Sequence, residues 1–566
     1  MYNGFNQMPK NLSKSRAKNS TNRKFLFVVG GVLSGVGKGI TTSSIAKVLQ
    51  ARGYRTTCVK ADPYVNVDAG TMNPTEHGEV FVMDDGYETD QDMGNYERFL
   101  NTTLPSVNYM TTGRVYRSVI EKERNLEYKG KCVEVVPHVP LEIIRRIKEA
   151  AETTNSEITI IEIGGTIGEY QNILFLEAAR MMKIENPLDV GFVMVSYLPI
   201  PSKLGEMKTK PTQYAVRTLN SAGIHPDIIV ARSGVPLDKK RKEKLAMFCN
   251  IGIQNVISAP DIESIYEVPI NFEKDGLTET VLSFLNLKPK KRDMKEWRKL
   301  VSNIKNPKGE INIAIIGKYF DTGDFVLADA YISVIEAVKF SAYKFNLESK
   351  IHWLNSKDIE NGKVKVSDLK KYDGVIVPGG FGSSGVEGKI KAIKYARENK
   401  IPFLGLCYGM QLAVIEYARN VLGWKDAHTR EINPKSKHLV IDFMPDQKKK
   451  VEEKQYGGTM RLGAYPCVLK KGSVARGAYG EDKISERHRH RYEVNPEYVD
   501  EIEKAGLVFS GKSPDGRLME IAELPKKEHP FFLGTQFHPE FLARPLSPHP
   551  LFTAFVKVAK SRKLKT

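Results

Sequence analysis

Two groups of residues in this 566-residue chain have the types and spacing to do chemistry. The first is GGVLSGVGKG at residues 30–39. Its glycines let a backbone approach a polyphosphate, N–H groups at the start of the following helix would point at it, and Lys38 adds a mobile positive charge. The pattern departs from the common phosphate loop. Five residues separate Gly31 from Gly37 where four are usual, and Gly39 stands where Ser or Thr would hold magnesium, a role open to Thr41 or Thr42. The second group is Cys407 in GLCYG (405–409), with His538-Pro539-Glu540 far along the chain. Flanking glycines permit a sharp turn that exposes the sulfur at a helix start, where the dipole favours thiolate. His538 can take the thiol proton, and Glu540 can orient the imidazole and stabilise its charged form. A buried thiol, a core histidine and a solvated glutamate are each commoner than catalytic groups. Joint placement at strand ends favours catalysis, and PGGFG at 378–382 offers backbone N–H groups for an oxyanion.

Further candidates surround the first group. Lys60 ends an apolar run at 56–61 and is a second ligand for the same polyphosphate, or a plain surface lysine. DDGYETDQD at 84–92 packs five acids into nine positions, as a solvated loop or a magnesium loop. Glu162 interrupts the apolar run ITIIEI, where an uncompensated carboxylate is costly; with Asp92 it suggests Mg2+ carried by nucleotide phosphates, a structural ion pair being the alternative. In KTKPTQ at 208–213, Lys208 and Lys210 would face one anion if that segment is extended, since side chains two apart then point the same way.

The elements that must position these groups alternate. Apolar runs at 25–29, 56–61, 158–163, 190–199, 228–232 and 255–258 read as strands between helical stretches, which predicts an α/β fold with a mainly parallel sheet of P-loop type. Residues 1–23 are polar, basic and acid-free, so a flexible extension is expected. Residues 286–310 are basic, contain Pro289 and Pro307 and lack sustained periodicity, and read as a linker. INIAIIG at 311–317 opens a second α/β series, taken to 560, with a basic tail at 561–566.

Composition narrows the class. With 41% hydrophobic and 27% charged residues the chain is globular, and no apolar run approaches the roughly 20 residues a membrane span needs. Five cysteines without paired spacing argue against a disulfide framework or zinc site and favour a cytoplasmic location. The net charge of +18 gathers in end and linking stretches, with nine Lys or Arg against two acids at 288–308, so no nucleic-acid partner is expected.

Several blocks carry a resemblance. GGVLSGVGKG, VKADPYVNVDAGTMNPTEHGEVFV, DGYETDQDMGNYERF, EIGGTIG and GEMKTKPTQ, in this order, resemble the amidoligase domain of the CTP synthase family over residues 24–285. PGGFG, GLCYG, GGTMRLGAYPC (457–467), RHRHRYEVN (487–495) and HPE resemble its class I glutamine amidotransferase domain. The resemblance implies ATP binding by Gly35, Val36, Gly37, Lys38, Gly39, Ile40, Lys60 and Asp92, with Pro260, Asp261 and Ile262 near the adenine. It implies that Ser34, Lys208, Thr209, Lys210, Pro211, Thr212, Gln213 and Lys244 hold UTP or CTP, and that Asp92 and Glu162 hold magnesium. L-Glutamine would lie against Gly380, Phe381, Tyr408, Gly409, Met410, Gln411, Glu431 and Arg491, and His77 and Val80 near the constriction of an internal ammonia tunnel. The activity implied is ATP-dependent amination of UTP at C4, through a 4-phosphorylated intermediate, with ammonia from glutamine. A homotetramer, possible filaments, feedback inhibition by CTP and activation by GTP are also implied. The chain departs from the family at two regulatory points. The inhibitor pocket would involve Glu169, Tyr170 and Gln171, the last replacing an acid, and Ser384 stands where many bacterial members carry the arginine that helps bind GTP. Competing readings are another ATP-dependent amidotransferase and a silent nucleotide-sensing scaffold.

Overall fold

The computed structural model describes residues 23–203, 205–318, 328–443 and 460–563, apart from the side chain of Thr75. The expected extension at 1–22, residues 564–566 of the tail and residues 457–459 of the GGTMRLGAYPC block lie outside the described residues. The chain forms two compact units: the first runs to Val67 and resumes over Val107–Met294, and the second comprises Asp68–Ser106 and Lys295–Thr566.

In the first unit, seven described strands form one parallel sheet in the order Tyr109–Thr111, Thr56–Asp62, Ile158–Ile163, Lys24–Gly31, Val190–Tyr197, Ile228–Ser233 and Val256–Pro260. The strands are apolar almost throughout because helices cover both faces, and Phe27, Ile161, Phe192 and Met194 lie in the core. Parallel strands put all their carboxyl ends on one edge. Gly31, Asp62, Ile163, Ser233 and Pro260 therefore end together, with Lys24–Gly31 central, where ligands of such sheets collect.

The second unit contains nine described strands in one sheet. Five are parallel, in the order Glu348–Asn355, Glu310–Gly317, Gly374–Val377, Phe403–Leu406 and Phe532–Thr535. Met519–Glu523, Val508–Lys512, Arg461–Leu469 and Lys483–His490 extend it antiparallel. The basic stretch read as an aperiodic linker contains the helix Lys295–Lys305, which buries Trp297, Leu300 and Val301 at helical spacing, and Trp297 packs on Phe99 at 5.3 Å. High charge masked a narrow apolar stripe.

Packing and chain order part company at Asp68–Ser106. This segment precedes most of the first unit's strands yet belongs to the second. Three of the acids at 84–92 are held by other groups. Asp84 pairs with Arg487, Glu88 with Arg489 at 2.8 Å, and Asp85 accepts the Ser106 N–H. Behind them Glu97, fully buried, accepts two hydrogen bonds of 3.0 Å from Arg487, which is itself fully buried, and one from Arg544. Gly86 and Gly463 adopt φ of +84° and +93°, and a Cβ on Gly463 would lie 2.6 Å from the Asp84 carbonyl, so the two backbones meet only as glycine allows. Removing the carboxylate would leave the Arg544 guanidinium buried without its paired counter-charge and Arg487 with only the half-exposed Asp84. Glu97→Ala should therefore lower stability by about 3–5 kcal/mol, read as the unfolding midpoint of the second unit; a loss below about 1 kcal/mol would contradict this role.

Candidate functional site

Cys407 stands between the strand Phe403–Leu406 and the helix Tyr408–Asn420, at φ 49° and ψ −100°, a conformation sparsely populated by non-glycine residues. Neighbouring glycines allow this turn. A Cβ on Gly409 would lie 2.0 Å from the Val377 carbonyl, and one on Gly405 would lie 2.8 Å from Gly409. The Cys407 N–H donates to the Thr535 carbonyl at 2.6 Å, tying the elbow to the adjacent strand. That strand leads to His538, whose Nδ1 lies 2.7 Å from Glu540 Oε1. Burial alone would lower the His538 pKa; the Glu540 carboxylate and the Cys407 sulfur outweigh it and raise it to about 10. The three side chains are buried and line one cavity of about 80 Å³. Gln536 donates its amide to the sulfur at 3.6 Å, and the Cys407 thiol reaches the Arg489 carbonyl at 3.8 Å. This arrangement can hold a thiolate beside an imidazolium and so attack a carbonyl carbon.

The other residues expected here divide by role. Gly380 and Phe381 line the cavity, and a Cβ on neighbouring Gly379 would lie 2.9 Å from His538 Cε1. Glu431 accepts the Gly382 N–H at 2.7 Å; burial raises its pKa, while that hydrogen bond, Lys318 and Arg491 oppose the rise. Tyr408 donates to the Gly382 carbonyl at 3.1 Å. Gln411 donates to the Tyr492 carbonyl at 2.9 Å and to Gln536 at 3.2 Å, so its amide braces the wall. The Met410 side chain is fully buried in the core, which leaves only its backbone for a ligand. Val80 lines the Cys407 cavity, and His77 ends the short helix Pro74–His77 without lining it.

In the first unit, the phosphate-loop candidates follow the central strand. Gly35 and Gly37 have φ of +69° and +88°, and a Cβ on Gly37 would lie 2.6 Å from Arg232. Val32 also has a left-handed φ, of 80°. Lys38 opens the helix Lys38–Ala51 and donates to the Gly165 carbonyl at 2.9 Å. Ser34 and Val36 lie on the intervening turn, Gly39 on the helix. Gly37, Ile40, Thr41, Arg232 and the expected adenine contacts Pro260, Asp261 and Ile262 line one cavity of about 190 Å³. Arg232 pairs with Asp261 at 2.6 Å on its wall, and of the two candidate threonines it is Thr41 that lines it. Lys60 and Glu162 are register partners on adjacent strands and pair at 3.0 Å, with Asp62 3.6 Å from the same ammonium. The two carboxylates are hard oxygen donors of the kind Mg2+ takes. Asp92 lies in the other unit, in the first turn of the helix Asp92–Leu100, and among the described residues no three His, Cys, Asp or Glu side chains form a metal-holding group.

The extended geometry under which the lysines of KTKPTQ would face one anion is not what forms. Thr209 is helical in conformation, Lys210 starts the helix Lys210–Ser221, and Pro211 at its first turn fits that start. The alternation that would have aligned Lys208 with Lys210 is therefore absent. Lys208 pairs with Glu206 at 2.7 Å, while Lys210 stands 5.3 Å from the centre of the Phe248 ring. Thr209 and Thr212 are buried, Thr212 accepting from Ser196 at 2.8 Å; Gln213 donates to Thr209 at 3.1 Å, and Lys244 is exposed. Glu169 accepts from the Thr166 N–H at 2.9 Å and from Gln171 at 2.6 Å, and Tyr170 is 95% exposed.

Four residues at these sites have no counterpart among the sequence expectations. Gln536 and Arg489 border the sulfur, and Glu79 lines its cavity. Lys389 is fully buried with no hydrogen-bond partner among the described residues, and burial lowers its ammonium pKa to about 7. Only Lys389 carried a usable signal, a charge on the buried face of the helix Val386–Glu398.

A parallel-sheet unit with a phosphate-loop turn is thus followed by a second α/β unit whose Cys-His-Glu constellation can supply a cysteine nucleophile. Residues 24–287 match the family described as CTP synthase N-terminus, and residues 326–558 match glutamine amidotransferase class-I. The chain is 52% identical to a CTP synthase of Pyrococcus abyssi, covering 95% of this chain and 98% of that one. It is 49% identical to a CTP synthase of Halalkalibacterium halodurans, covering 95% and 99%. A solved glutaminase domain of Trypanosoma brucei CTPS with bound acivicin is 37% identical, covers 44% of this chain and 94% of its own, and superposes with a TM-score of 0.41. The chain belongs to the CTP synthase family. Among the described residues no helix is long and apolar enough to cross a membrane.

A histidine held at about 10 when folded stabilises the protein fully below its ordinary value of about 6.5, and that contribution is lost as pH rises through about 10. In Glu540→Gln, and to a smaller extent in Cys407→Ala, the His538 ring resonances should titrate at lower pH than in the native chain. Equal midpoints in all three would contradict the charge pairing.

Proposed function

We propose that this chain makes CTP from UTP in an ATP-dependent amination fed by glutamine. The observation that carries the reading is the Cys407–His538–Glu540 constellation at the end of one parallel sheet, in a chain whose other parallel sheet ends in a lysine-bearing glycine turn. Relatives called CTP synthase, about half identical over nearly all of the chain, supply the pyrimidine.

The glutamine carboxamide lies with its carbon against the Cys407 sulfur, and Gly380 and Phe381 present backbone to the developing oxyanion. Arg491 and Glu431 hold the amino-acid end, with Tyr408, Gly409, Met410 and Gln411 forming the wall. His538 protonates the departing nitrogen as the thioester forms, then deprotonates the water that clears it, while Glu540 keeps the imidazole oriented. The residues Gly35, Val36, Gly37, Lys38, Gly39 and Ile40 cradle ATP phosphates with Lys60, and Pro260, Asp261 and Ile262 pack on the adenine. Ser34, Lys208, Thr209, Lys210, Pro211, Thr212, Gln213 and Lys244 hold UTP. Lys38 neutralises charge on the phosphoryl group as it moves to the uracil C4 oxygen, and ammonia then displaces phosphate. Glu162 and Asp92 would hold Mg2+, which when bound supplies charge stabilisation for the transferred phosphoryl group.

The working form is a cytoplasmic homotetramer able to stack into filaments. The family's pocket for feedback inhibition by CTP would fall at Glu169, Tyr170 and Gln171, where Gln171 in place of an acid weakens it, and the response to GTP as activator is weakened in the same way at Ser384. Ser384 precedes Gly385, whose φ of +69° caps the helix Val386–Glu398, and a serine there supplies no cation to a nucleotide triphosphate.

Incubation with UTP, ATP and glutamine should yield CTP, and absence of CTP under any nitrogen supply would overturn the reading. Cys407→Ala should abolish glutamine-dependent CTP formation and retain the ammonia-dependent rate, whereas Lys38→Ala should lose both by roughly 100-fold or more. Glutamine use by Cys407→Ala would contradict the assignment. GTP should raise the glutamine-dependent rate less than it does in Ser384→Arg; equal activation would show that Ser384 is not the deciding position.

A further inference from the structure

The cavity that holds Cys407 has a second polar wall. Glu79 lines it together with Val80, Ala330, Val334 and Phe541, and belongs to the Asp68–Ser106 segment that packs on this unit. Both Glu79 oxygens accept the Ser333 N–H, at 3.2 and 3.3 Å, and Glu79 Oε2 accepts the Ser333 hydroxyl. Ser333 is in the first turn of the helix Ile332–Lys344, and its hydroxyl oxygen accepts from Arg98 at 2.6 Å. An ionised carboxylate offers about four acceptor positions, so this anchoring fixes the side chain while leaving capacity on the cavity side.

The reaction creates a need for such a group. Glutamine plus water gives glutamate, ammonia and one proton, and the apolar walls disfavour ammonium relative to ammonia. Ammonia carries three N–H donors into a cavity whose remaining lining among the described residues, apart from the catalytic groups, Arg489 and Tyr331, is apolar or glycine. Resting on the proposed function, we infer that Glu79 is the first acceptor for ammonia after it leaves Cys407, a positioning residue whose carboxylate takes an ammonia N–H and steers the molecule away from His538.

Acid–base behaviour agrees with that task. Burial raises the Glu79 pKa to about 7, with Glu540 adding to the rise and the Ser333 hydrogen bonds and Arg98 opposing it. Among the described residues, the other charged or titratable groups on the same cavity are His538, Glu540, Arg489, Cys407 and Tyr331. The accepting form therefore prevails above about 7 and is lost below it.

The test is the amount of CTP formed per glutamate released by the full-length enzyme, with ATP, UTP and glutamine saturating, from about pH 6 to about pH 9. In the native enzyme this ratio should step upward near 7. In Glu79→Gln, at about pH 8, it should fall roughly tenfold, the size expected for losing a hydrogen bond to a charged group, and the step should vanish. Ser333→Ala keeps the carboxylate but removes a hydrogen bond that favours its ionised form, so the step should move to higher pH. A native ratio or native step in Glu79→Gln, or an unmoved step in Ser333→Ala, would overturn the inference. So would loss of glutamate release in Glu79→Gln, which would assign the side chain to hydrolysis. Failure of the native enzyme to form CTP from UTP, ATP and added ammonia would instead overturn the function itself.

Discussion

The buried carboxylate of Glu97 is the constraint on which the Cys407 cavity depends. Arg487 and Arg544 could not remain desolvated without it, and Arg487 also holds the Val82 carbonyl and Asp84. Those contacts fix the hairpin Phe81–Val82 and Glu88–Thr89 against the strand Lys483–His490. The same strand carries Arg489, whose carbonyl meets the Cys407 thiol and whose guanidinium pairs with Glu88. One ionic cluster thus sets the wall on which Glu79 and Val80 face the nucleophile's cavity.

A second constraint acts within the elbow. Cys407 keeps its unusual backbone conformation because Gly405 and Gly409 have no Cβ to obstruct the crossing of strand and helix, and because its N–H is fixed to Thr535. His538 follows that strand, so one pair of neighbouring strands positions sulfur and imidazole. Reactivity then follows from charge: Glu540 and the sulfur together outweigh the burial that would otherwise neutralise His538.

Much of this was legible in the sequence, because strand–turn–helix signals and strand-end residues are local. The phosphate-loop glycines, Lys60 beside Glu162, and Cys407 with His538 and Glu540 all fall where apolar runs end. What escaped was non-local. Nothing near residues 84–92 announces that its acids meet arginines some 400 positions later, as Arg487 and Asp84 do with a separation of 403. The helix at Lys295–Lys305 hid behind its charges, and the helical start at Lys210 replaced an extended segment because a proline one residue on favours the first turn. Gln536 and Glu79 acquire meaning only from the cavity they border.

We propose that nitrogen released at Cys407 reaches the pyrimidine without mixing with solvent. The most direct measurement supplies glutamine labelled with 15N in its amide, together with unlabelled ammonium, and determines the isotope in the 4-amino group of the CTP formed. The account predicts enrichment matching that of the glutamine while unlabelled ammonium is present. Dilution of the label toward the composition of the ammonium pool would contradict it.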